Sequence, residues 1–398
     1  MCSGAGLVTA RIAALAGLLA VSCGPSPTAT TRAPVLRAPA AFDAAAVGLA
    51  DLSADGTTLA LMGLATGPGP VEDRTALWLI DVDTRQVIGR TPIGHVWGNL
   101  KWGPGGSFVV LVLAPEDQRG LWWARSPRGP LVSIYGTIAG APLRPNRGIV
   151  DPTGKWAVVS APQPRSSESR TWGHNIYSLS LCGDRTARQM DEGFRFASLA
   201  GLVEKRDGEG PPLALVTGVP LNSDAFTMAL IDCASGDIVK SIDLDLGITL
   251  SDAGSTLEYQ TGEMLLPLIP VDGGRLCAFT LILKVDLRQG VAELFATIPE
   301  RYRFLKTVET PQGRRTFFGG WRNVWEIRDS AHRRSTEVVV FGGGHAFPAG
   351  VRRGPNGTEV LFAVSGPGAV WRCVLESKRT EVIMGQPDDR YAPPRIAD

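Results

Sequence analysis

The side chains best suited to chemistry in this sequence are its histidines and the tryptophan and arginine residues near them. Three of the four histidines lie in polar segments between apolar runs. Histidine is the commonest metal ligand, and Trp and Arg are enriched where proteins bind their partners. The candidate ligand- or partner-binding residues are His95, Trp97, Arg170, Trp172, His174, Trp321, Arg322 and His345. The alternative is that they are unrelated residues of separate loops.

No motif indicates catalysis. The sequence contains neither a Gly-x-Ser-x-Gly nucleophile motif nor a His-Glu-x-x-His zinc motif. The segment from Gly148 to Lys155 superficially resembles a phosphate-binding loop, but Trp156 stands where that loop requires Ser or Thr. Asp81 and Asp83 lack the remaining ligands of a calcium loop, so turn capping explains them better. We therefore predict no catalytic residue, no metal and no cofactor.

The charge balance argues against one class of partner. The chain has 40 Lys and Arg residues against 39 Asp and Glu residues, a formal net charge of +1. A nucleic-acid-binding surface requires a clear excess of basic residues. We expect no nucleic-acid partner.

The N-terminus predicts export and lipid anchoring. A short apolar run, residues 12–21, is too short to span a membrane and has the size of a signal-peptide core. It leads into Ala20-Val21-Ser22-Cys23, which resembles a bacterial lipobox. We expect a lipoprotein-type signal peptide over residues 1–22, a lipidated Cys23, and a Pro/Ala/Thr-rich tether over 23–40. Ordinary secretion with cleavage nearby and an uncleaved anchor are the alternatives. The protein would then be anchored to the cell membrane and face the periplasm or the cell exterior.

Four cysteines remain beyond the signal and the anchor. Export permits disulfides, but the spacing of these cysteines matches neither a disulfide framework nor a zinc site. Buried free thiols are the favoured interpretation for Cys182, Cys233, Cys277 and Cys373.

A repeated unit determines how any site is positioned. Each unit has a turn with glycine, a short apolar run, a polar loop and a second run often opened by an aromatic residue. The spacing of 44 to 56 residues suits one four-stranded antiparallel sheet per unit. The runs are apolar at nearly every position, as expected for strands buried on both faces. The turn glycines are Gly56, Gly106, Gly154, Gly210, Gly262, Gly313 and Gly357.

This pattern predicts an all-β protein, a seven-bladed β-propeller of four-stranded antiparallel sheets over residues 41–386, with a C-terminal tail over 387–398. We expect Trp78, Trp122, Trp325 and Trp371, which recur in the third strands, to be mostly buried. The first and last units each supply four strands, so we expect them to pack face to face without a shared strand. Residues 24–38 should lie outside the ring. In a propeller, connections between blades and loops between second and third strands share one face, which would put His95, His174 and His345 on one rim.

Two segments carry a resemblance to known proteins. Residues 54–60 (ADGTTLA), followed by residues 77–81 (LWLID), resemble bacterial WD-repeat-like propellers, including the propeller of the Tol-Pal translocation system. Residues 356–360 repeat the first segment, and residues 231–236 (IDCASG) resemble quinoprotein-type propeller repeats in lipoprotein subunits of outer-membrane assembly machinery. The resemblance implies a propeller and does not choose one family.

The expected function follows from anchor and fold together. We expect a non-catalytic scaffold that binds a protein or peptide at the membrane, so the chain is more consistent with a binding protein than with an enzyme. The alternative is a propeller enzyme of the lactonase or lyase type with its site at the channel mouth. The predicted innermost strands carry few carboxylates, which disfavours catalysis. The sequence does not indicate the oligomeric state.

Overall fold

The computed structural model describes residues 42–43, 49–65, 75–92, 97–103, 106–113, 120–126, 129–162, 174–205, 210–244, 258–260, 262–272, 275–301, 304–320, 322–328, 335–341, 346–364, 367–385 and 392–397. Every regular element assigned within these ranges is a β-strand. All of them belong to one compact unit, Leu36–Asp398. Within the same ranges, the structure contains no helix with the length and apolar character needed to span a bilayer.

The first part of the chain forms a two-residue strand followed by two antiparallel meanders of four strands each. Their bounds are β1 (Phe42–Asp43), β2 (Leu49–Leu52), β3 (Thr58–Ala65), β4 (Thr75–Asp81), β5 (Val87–Pro92), β6 (Trp97–Trp102), β7 (Phe108–Leu113), β8 (Gly120–Ala124) and β9 (Val132–Ile134).

The middle of the chain adds a small hairpin, two further meanders and a short strand parallel to the first strand of the second of these meanders. Their bounds are β10 (Gly136–Ile138), β11 (Ala141–Leu143), β12 (Arg147–Val150), β13 (Trp156–Pro162), β14 (His174–Ser180), β15 (Ala187–Gln189), β16 (Phe194–Val203), β17 (Leu213–Pro220), β18 (Thr227–Asp232), β19 (Ile238–Asp243) and β20 (Glu258–Gln260).

The last part of the chain supplies a three-stranded sheet with an inserted hairpin, two more meanders and a final short strand. Their bounds are β21 (Glu263–Leu268), β22 (Val271–Asp272), β23 (Arg275–Leu276), β24 (Thr280–Asp286), β25 (Val291–Ile298), β26 (Phe304–Thr310), β27 (Gly313–Gly319), β28 (Asn323–Arg328), β29 (Ser335–Val340), β30 (Ala346–Gly354), β31 (Gly357–Val364), β32 (Pro367–Val374), β33 (Arg379–Gly385) and β34 (Arg395–Ile396).

These strands form a β-propeller of six principal sheets. The nine-stranded seam sheet contains β1–β5 and β30–β33. The second sheet contains β6–β9, the third β12–β15, the fourth β16–β20, the fifth β21, β24 and β25, and the sixth β26–β29 with β34. The all-β propeller of small antiparallel sheets is confirmed, but the prediction of seven separate four-stranded blades is wrong. The number of blades is six rather than seven because β1 joins the first and last meanders into one sheet.

Apolar packing between neighbouring meanders explains why the strands read as continuous apolar runs. In β4, six of the seven residues are buried, as are five of the seven in β14. One cluster between the third and fourth sheets contains Ile149, Val158 and Ile176 from one sheet and Val216 and Ala229 from the other. A strand covered on both faces cannot place polar side chains on alternate positions without burying them.

Aspartate side chains close the tight turns after the third strands. Asp81 Oδ1 accepts hydrogen bonds from the backbone N–H groups of Asp83 and Thr84 at 3.1 and 2.7 Å. Asp232 and Asp286 repeat this arrangement in the fourth and fifth sheets. These hydrogen bonds agree with the interpretation of Asp81 as a turn-capping residue.

The predicted turn glycines occupy the backbone conformation that glycine favours. Six of the seven, all except Gly262, have a positive φ angle. At Gly56 a side chain would also meet the Arg352 Cβ at 2.8 Å. The repeat therefore reflects a real turn requirement.

The tryptophans that recur in the third strands differ in burial. Trp78 is 5% exposed, whereas Trp122, Trp325 and Trp371 are half-buried against their apolar clusters. The expectation of burial is therefore correct for Trp78 and too strong for the other three, which lie nearer the rim of the packed clusters. All four remaining cysteines are free. Cys233 and Cys373 are buried as expected, but the expectation of buried thiols is wrong for Cys182, which is exposed, and for Cys277, which is half-buried.

The seam between the first and last meanders differs from the expectation of two units without a shared strand. Phe42 and Asp43 in β1 pair with Ala65 and Leu64 of β3 on one side. On the other side they pair with Gly368 and Pro367 of β32. The N-terminal segment thus shares a strand with both units. The C-terminal tail also adds β34 to the outer edge of the sixth sheet, where Ile396 pairs with Val339.

An ion-pair network reinforces this seam. Arg352, on β30, donates from Nε to Glu359 Oε2 at 2.7 Å and from Nη2 to Asp83 Oδ1 at 2.5 Å. Its Nη1 donates to the Gly56 carbonyl at 3.0 Å. Beside it, Arg85 of the first unit pairs with Glu381 on β33 at 2.8 Å. Both units therefore meet through buried charge as well as apolar packing.

Removing β1 should weaken the propeller, whereas removing the tether alone should not. A variant lacking residues 24–38 should melt like the full chain. A variant lacking residues 24–45 should melt a few degrees lower, since each kcal/mol lost shifts the melting temperature of a domain of this size by about 2–4 °C. Calorimetry on the two deletions measures the difference. Equal melting temperatures would show that β1 contributes nothing to closure.

Candidate functional site

A polar cavity of about 460 Å³ lies between the third and fourth sheets. It is formed where β13 ends and β14 begins, and where the connection between β15 and β16 crosses from one sheet to the next. Antiparallel order brings these strand ends to the same edge, so residues distant in sequence line one space. Its volume falls in the range typical of small-molecule and peptide sites.

Asp191 is the principal acidic group of the cavity. It follows β15, is 7% exposed and lines the cavity wall. Burial raises the pKa of its carboxyl, and the neighbouring Glu192 acts in the same direction. Hydrogen bonds from the Gln189 side chain and the Ile176 backbone offset only part of this rise. Among the described residues, its Oδ1 atom has no hydrogen-bond partner.

Asn146 and His174 also line the cavity and form a hydrogen-bonded pair. The Asn146 Nδ2 group lies 3.2 Å from His174 Nδ1. The two side chains share a hydrogen bond in which the donor and acceptor roles depend on the tautomer of His174. The buried Oδ1 atom of Asn146 also lacks a partner within the described part of the chain.

Further polar groups support the walls. The buried Asn175 donates from Nδ2 to the Tyr177 hydroxyl at 3.0 Å, and burial raises the pKa of that hydroxyl. Arg147 on β12 and Arg195 on β16 also line the cavity. Arg195 is bound to Asp224 at 2.5 Å and to the Ser223 carbonyl. The cavity can therefore offer both acceptors and donors to a polar ligand.

Two of the predicted binding residues have described side chains, and they lie in different sheets, His174 in the third and Arg322 in the sixth. His174 lines the cavity, but Arg322 is exposed and its backbone N–H donates to Glu300 Oε1 at 2.6 Å, in the turn between β27 and β28. Trp97 begins β6, and its side chain is not described. The remaining candidates lie outside the described residues, namely Cys23, His95, Arg170, Trp172, Trp321 and His345.

Sequence reasoning missed Asp191 and Asn146. Both fall in connections between units, the same kind of segment that drew attention to His95 and His345. A search of these connections for carboxylates and amides as well as histidines would have found them. Their burial, however, follows from the packing of two sheets and has no sequence signature.

A second carboxylate with a raised pKa lies on an innermost strand. Asp51 on β2 accepts the Trp102 backbone N–H at Oδ2 with a distance of 2.8 Å, and Trp102 Nε1 donates to the Asp51 carbonyl at 2.7 Å. Burial raises the pKa of Asp51, while Lys101, the Trp102 N–H and Lys306 act against the rise. Asp51 therefore links the innermost strands of the seam sheet and the second sheet. Within the described residues, no group of three His, Cys, Asp or Glu side chains could hold a metal ion.

Replacing Asp191 with Asn should stabilise the protein at neutral pH. Because burial raises the pKa of this carboxyl, the folded state binds its proton more tightly than the unfolded state does. This tighter proton binding stabilises the folded state fully at pH values below the unfolded-state pKa of Asp191. The stabilisation is lost as the pH rises through the folded-state pKa, because the buried carboxyl then ionises. The Asp191→Asn gain should therefore be present at pH 7 and fade towards about pH 4. Denaturant unfolding at the two pH values measures it.

Asp55→Asn provides a comparison of opposite sign. Hydrogen bonds from Ser53 and Thr57 lower the pKa of Asp55, so its contribution to stability is present above the unfolded pKa and lost as the pH falls through the folded pKa. Asp55→Asn should destabilise the protein at pH 7. If Asp191→Asn also destabilised the protein at pH 7, the conclusion that burial makes the ionised Asp191 carboxyl unfavourable would be wrong.

Comparisons with known proteins support the fold. No protein-family model matches the sequence, and no curated protein matches it. Among solved structures, it is similar to puromycin hydrolase, with a TM-score of 0.51 and 14% identity over 92% of this chain and 56% of that chain. It is also similar to the β-propeller domain of the trilobed protease from Pyrococcus furiosus, with a TM-score of 0.48 and 9% identity over 86% and 99% of the two chains. This chain thus spans little more than half of the puromycin hydrolase chain. At such identities the likeness concerns the β-propeller fold alone.

Proposed function

We propose that this chain is an exported, lipid-anchored β-propeller that binds a protein or peptide without converting it chemically, and that the binding site is the cavity between the third and fourth sheets. One observation carries the proposal: a polar cavity of about 460 Å³ is lined by a buried carboxyl whose Oδ1 has no partner among the described residues. Buried polar atoms in proteins are nearly always hydrogen-bonded, and exceptions are found at functional sites or where water binds, which supports the choice of this cavity.

The position of the cavity on the propeller favours a macromolecular partner. It lies where β13 ends and β14 begins and where the connection between β15 and β16 passes from one sheet to the next. Such loops on a rigid scaffold are the usual place for binding residues. A tether of the composition seen in residues 23–40 would give a folded domain freedom to reach a partner at the membrane. The proposal includes the finer assignment of this chain to Tol-Pal-type or WD-repeat-like propellers, which the resemblance of residues 54–60 and 77–81 supports.

An enzyme remains the second candidate function, and one observation favours it. The raised pKa of Asp191 suits a general acid, since a buried carboxyl holds its proton closer to neutral pH. His174 in the same cavity would provide a second proton-transfer group. An enzyme of this kind would convert its bound ligand, and Asp191→Asn would abolish turnover while leaving the ligand bound.

The binding site can be tested with a random peptide library. Peptides enriched on the immobilised protein should protect backbone amides of residues 146–147 and 189–199 from hydrogen exchange. Ala197→Trp, which adds a large ring to the cavity wall, should abolish the enrichment, and Ala197→Leu provides a milder variant that keeps the fold. Val239→Trp, at a 59% exposed site on β19, is the matched control and should bind normally. If the enriched peptides protected another region of the protein instead, the proposed location of the binding site in this cavity would be wrong.

Anchoring has an independent test. Cys23→Ala should leave the precursor unprocessed or move the protein from the membrane to the soluble fraction, because the thiol is the acceptor of the lipid. Fractionation and intact-mass measurement of the two proteins decide this. An unchanged mass and an unchanged distribution would refute lipidation at Cys23.

A further inference from the structure

Two lysines lie on the strands that surround the central channel of the propeller. Lys101 is on β6 and Lys306 is on β26, each in the innermost strand of its sheet. Both side chains are half-buried, so solvent still reaches them. The innermost strands of a propeller enclose a channel, and groups on them can meet there although they are far apart in sequence.

The carboxyl of Asp51 connects the two lysines to one place. Asp51, which is also half-buried, accepts the backbone N–H of Trp102 at 2.8 Å, and Lys101 is the residue before Trp102. Burial raises the pKa of Asp51, and the charges of Lys101 and Lys306 both act against that rise. Both ammonium groups therefore lie near the same carboxyl.

The pairing register supports this placement of Lys306. Lys306 pairs with Phe317, and Asp51 pairs with Ala60; each partner stands four residues after the turn glycine of its unit. The strand between β26 and β2 is β30, and Gly350 occupies the corresponding position on it. Since glycine has no side chain, β30 places none at this position between Lys306 and Asp51.

The two channel lysines differ from other lysines of the chain in their partners. Lys284 forms an ion pair with Glu263 at 3.0 Å, and Lys205 forms one with Asp232. Within the described ranges, neither Lys101 nor Lys306 forms a hydrogen bond or an ion pair. Each ammonium group has three donors, which are thus available to a ligand.

The charge of the innermost strands favours an anion as that ligand. The first strands of the six meanders, β2, β6, β12, β16, β26 and β30, carry six basic residues and two acidic ones. Arg195 and Arg352 have carboxylate partners of their own. Around Asp51, two ammonium groups face one carboxyl, so the local charge is positive. A channel lined by one sign of charge concentrates ions of the opposite sign.

We propose that Lys101 and Lys306 bind an oxyanion, a carboxylate or a phosphate, in the central channel beside Asp51. The inference goes beyond the proposed function, because none of these three residues lines the cavity between the third and fourth sheets. Each ammonium group donates to an oxygen of the anion, and such charge-assisted hydrogen bonds are stronger than neutral ones. Asp51 repels the anion and limits its affinity.

Calorimetry on the full chain at pH 7 and constant ionic strength tests the site. Sodium phosphate and sodium acetate probe the two sources of the oxyanion, and acetamide, which resembles acetate in shape but has no charge, is the control ligand. At least one of the two anions should give saturable binding, and acetamide should give none. The anion that binds more tightly identifies the source.

Variants test the assigned residues. Lys101→Met and Lys306→Met keep the length of the side chain and remove its charge, so each should weaken anion binding about tenfold or more. Lys155→Met, at an exposed lysine in the turn of the third sheet, is the matched control and should bind like the unaltered protein. Asp51→Asn keeps an acceptor for the Trp102 N–H and removes the repelling charge. It should bind the anion at least as tightly as the unaltered protein.

The opposite directions of these effects separate a charged site from a loss of structure, and the melting temperature of each variant checks its fold. The inference would be overturned by three results: no saturable binding of either anion, unchanged binding in both lysine variants, or weaker binding in a folded Asp51→Asn variant. None of these results affects the proposed peptide site, whose test depends on Ala197→Trp. Failure of that test would in turn leave the oxyanion site standing.

Discussion

Every sheet of this propeller needs a neighbour on each face, and the structure therefore depends on the contact that joins the first and last repeat units. Leu59, Leu61 and Ile80 of the first unit pack against Leu361 and Val370 of the last. Without that contact, two apolar sheet faces would be exposed to solvent. The resulting loss in the free energy of unfolding would exceed the loss from exposing any single side chain. The short strand β1 pairs with the end of β3 in the first unit and with the start of β32 in the last, and so links the two units by backbone hydrogen bonds.

Buried charge at the seam contributes orientation more than net stability. Arg352 and Glu359 are almost fully buried, and the cost of removing both from water offsets much of their attraction. Breaking the pair is nevertheless expensive, because the remaining charge would be buried without compensation. The three groups that surround Arg352 come from both units: Glu359 from the last unit, and Asp83 and the Gly56 carbonyl from the first. Since they are satisfied together only in one arrangement, the network fixes the register of closure.

The seam and the cavity between the third and fourth sheets each keep one buried carboxylate oxygen without a hydrogen-bond partner among the described residues, Glu359 Oε1 and Asp191 Oδ1. At the seam the charge of Glu359 is compensated by Arg352, whereas burial raises the pKa of Asp191 in the cavity. The protein bears this cost because the apolar cluster beneath, with Val158, Ile176 and Val216, holds the two sheets together independently of the polar residues above it. A rigid scaffold can thus carry an incompletely satisfied polar site, as binding sites commonly do.

The sequence by itself determined the all-β repeat architecture, the turn glycines and the capping role of Asp81, because these depend on local backbone requirements and on apolar runs within a single unit. It also drew attention to His174, through the polar loop that precedes it. The number of sheets, the role of β1 and the pairing of Arg352 were decided only by the tertiary structure, because they depend on how the two ends of the chain meet. The same holds for Asp191 and Asn146. Neither residue stands out in its own segment, and their unsatisfied oxygens arise only when two sheets close around them and remove water.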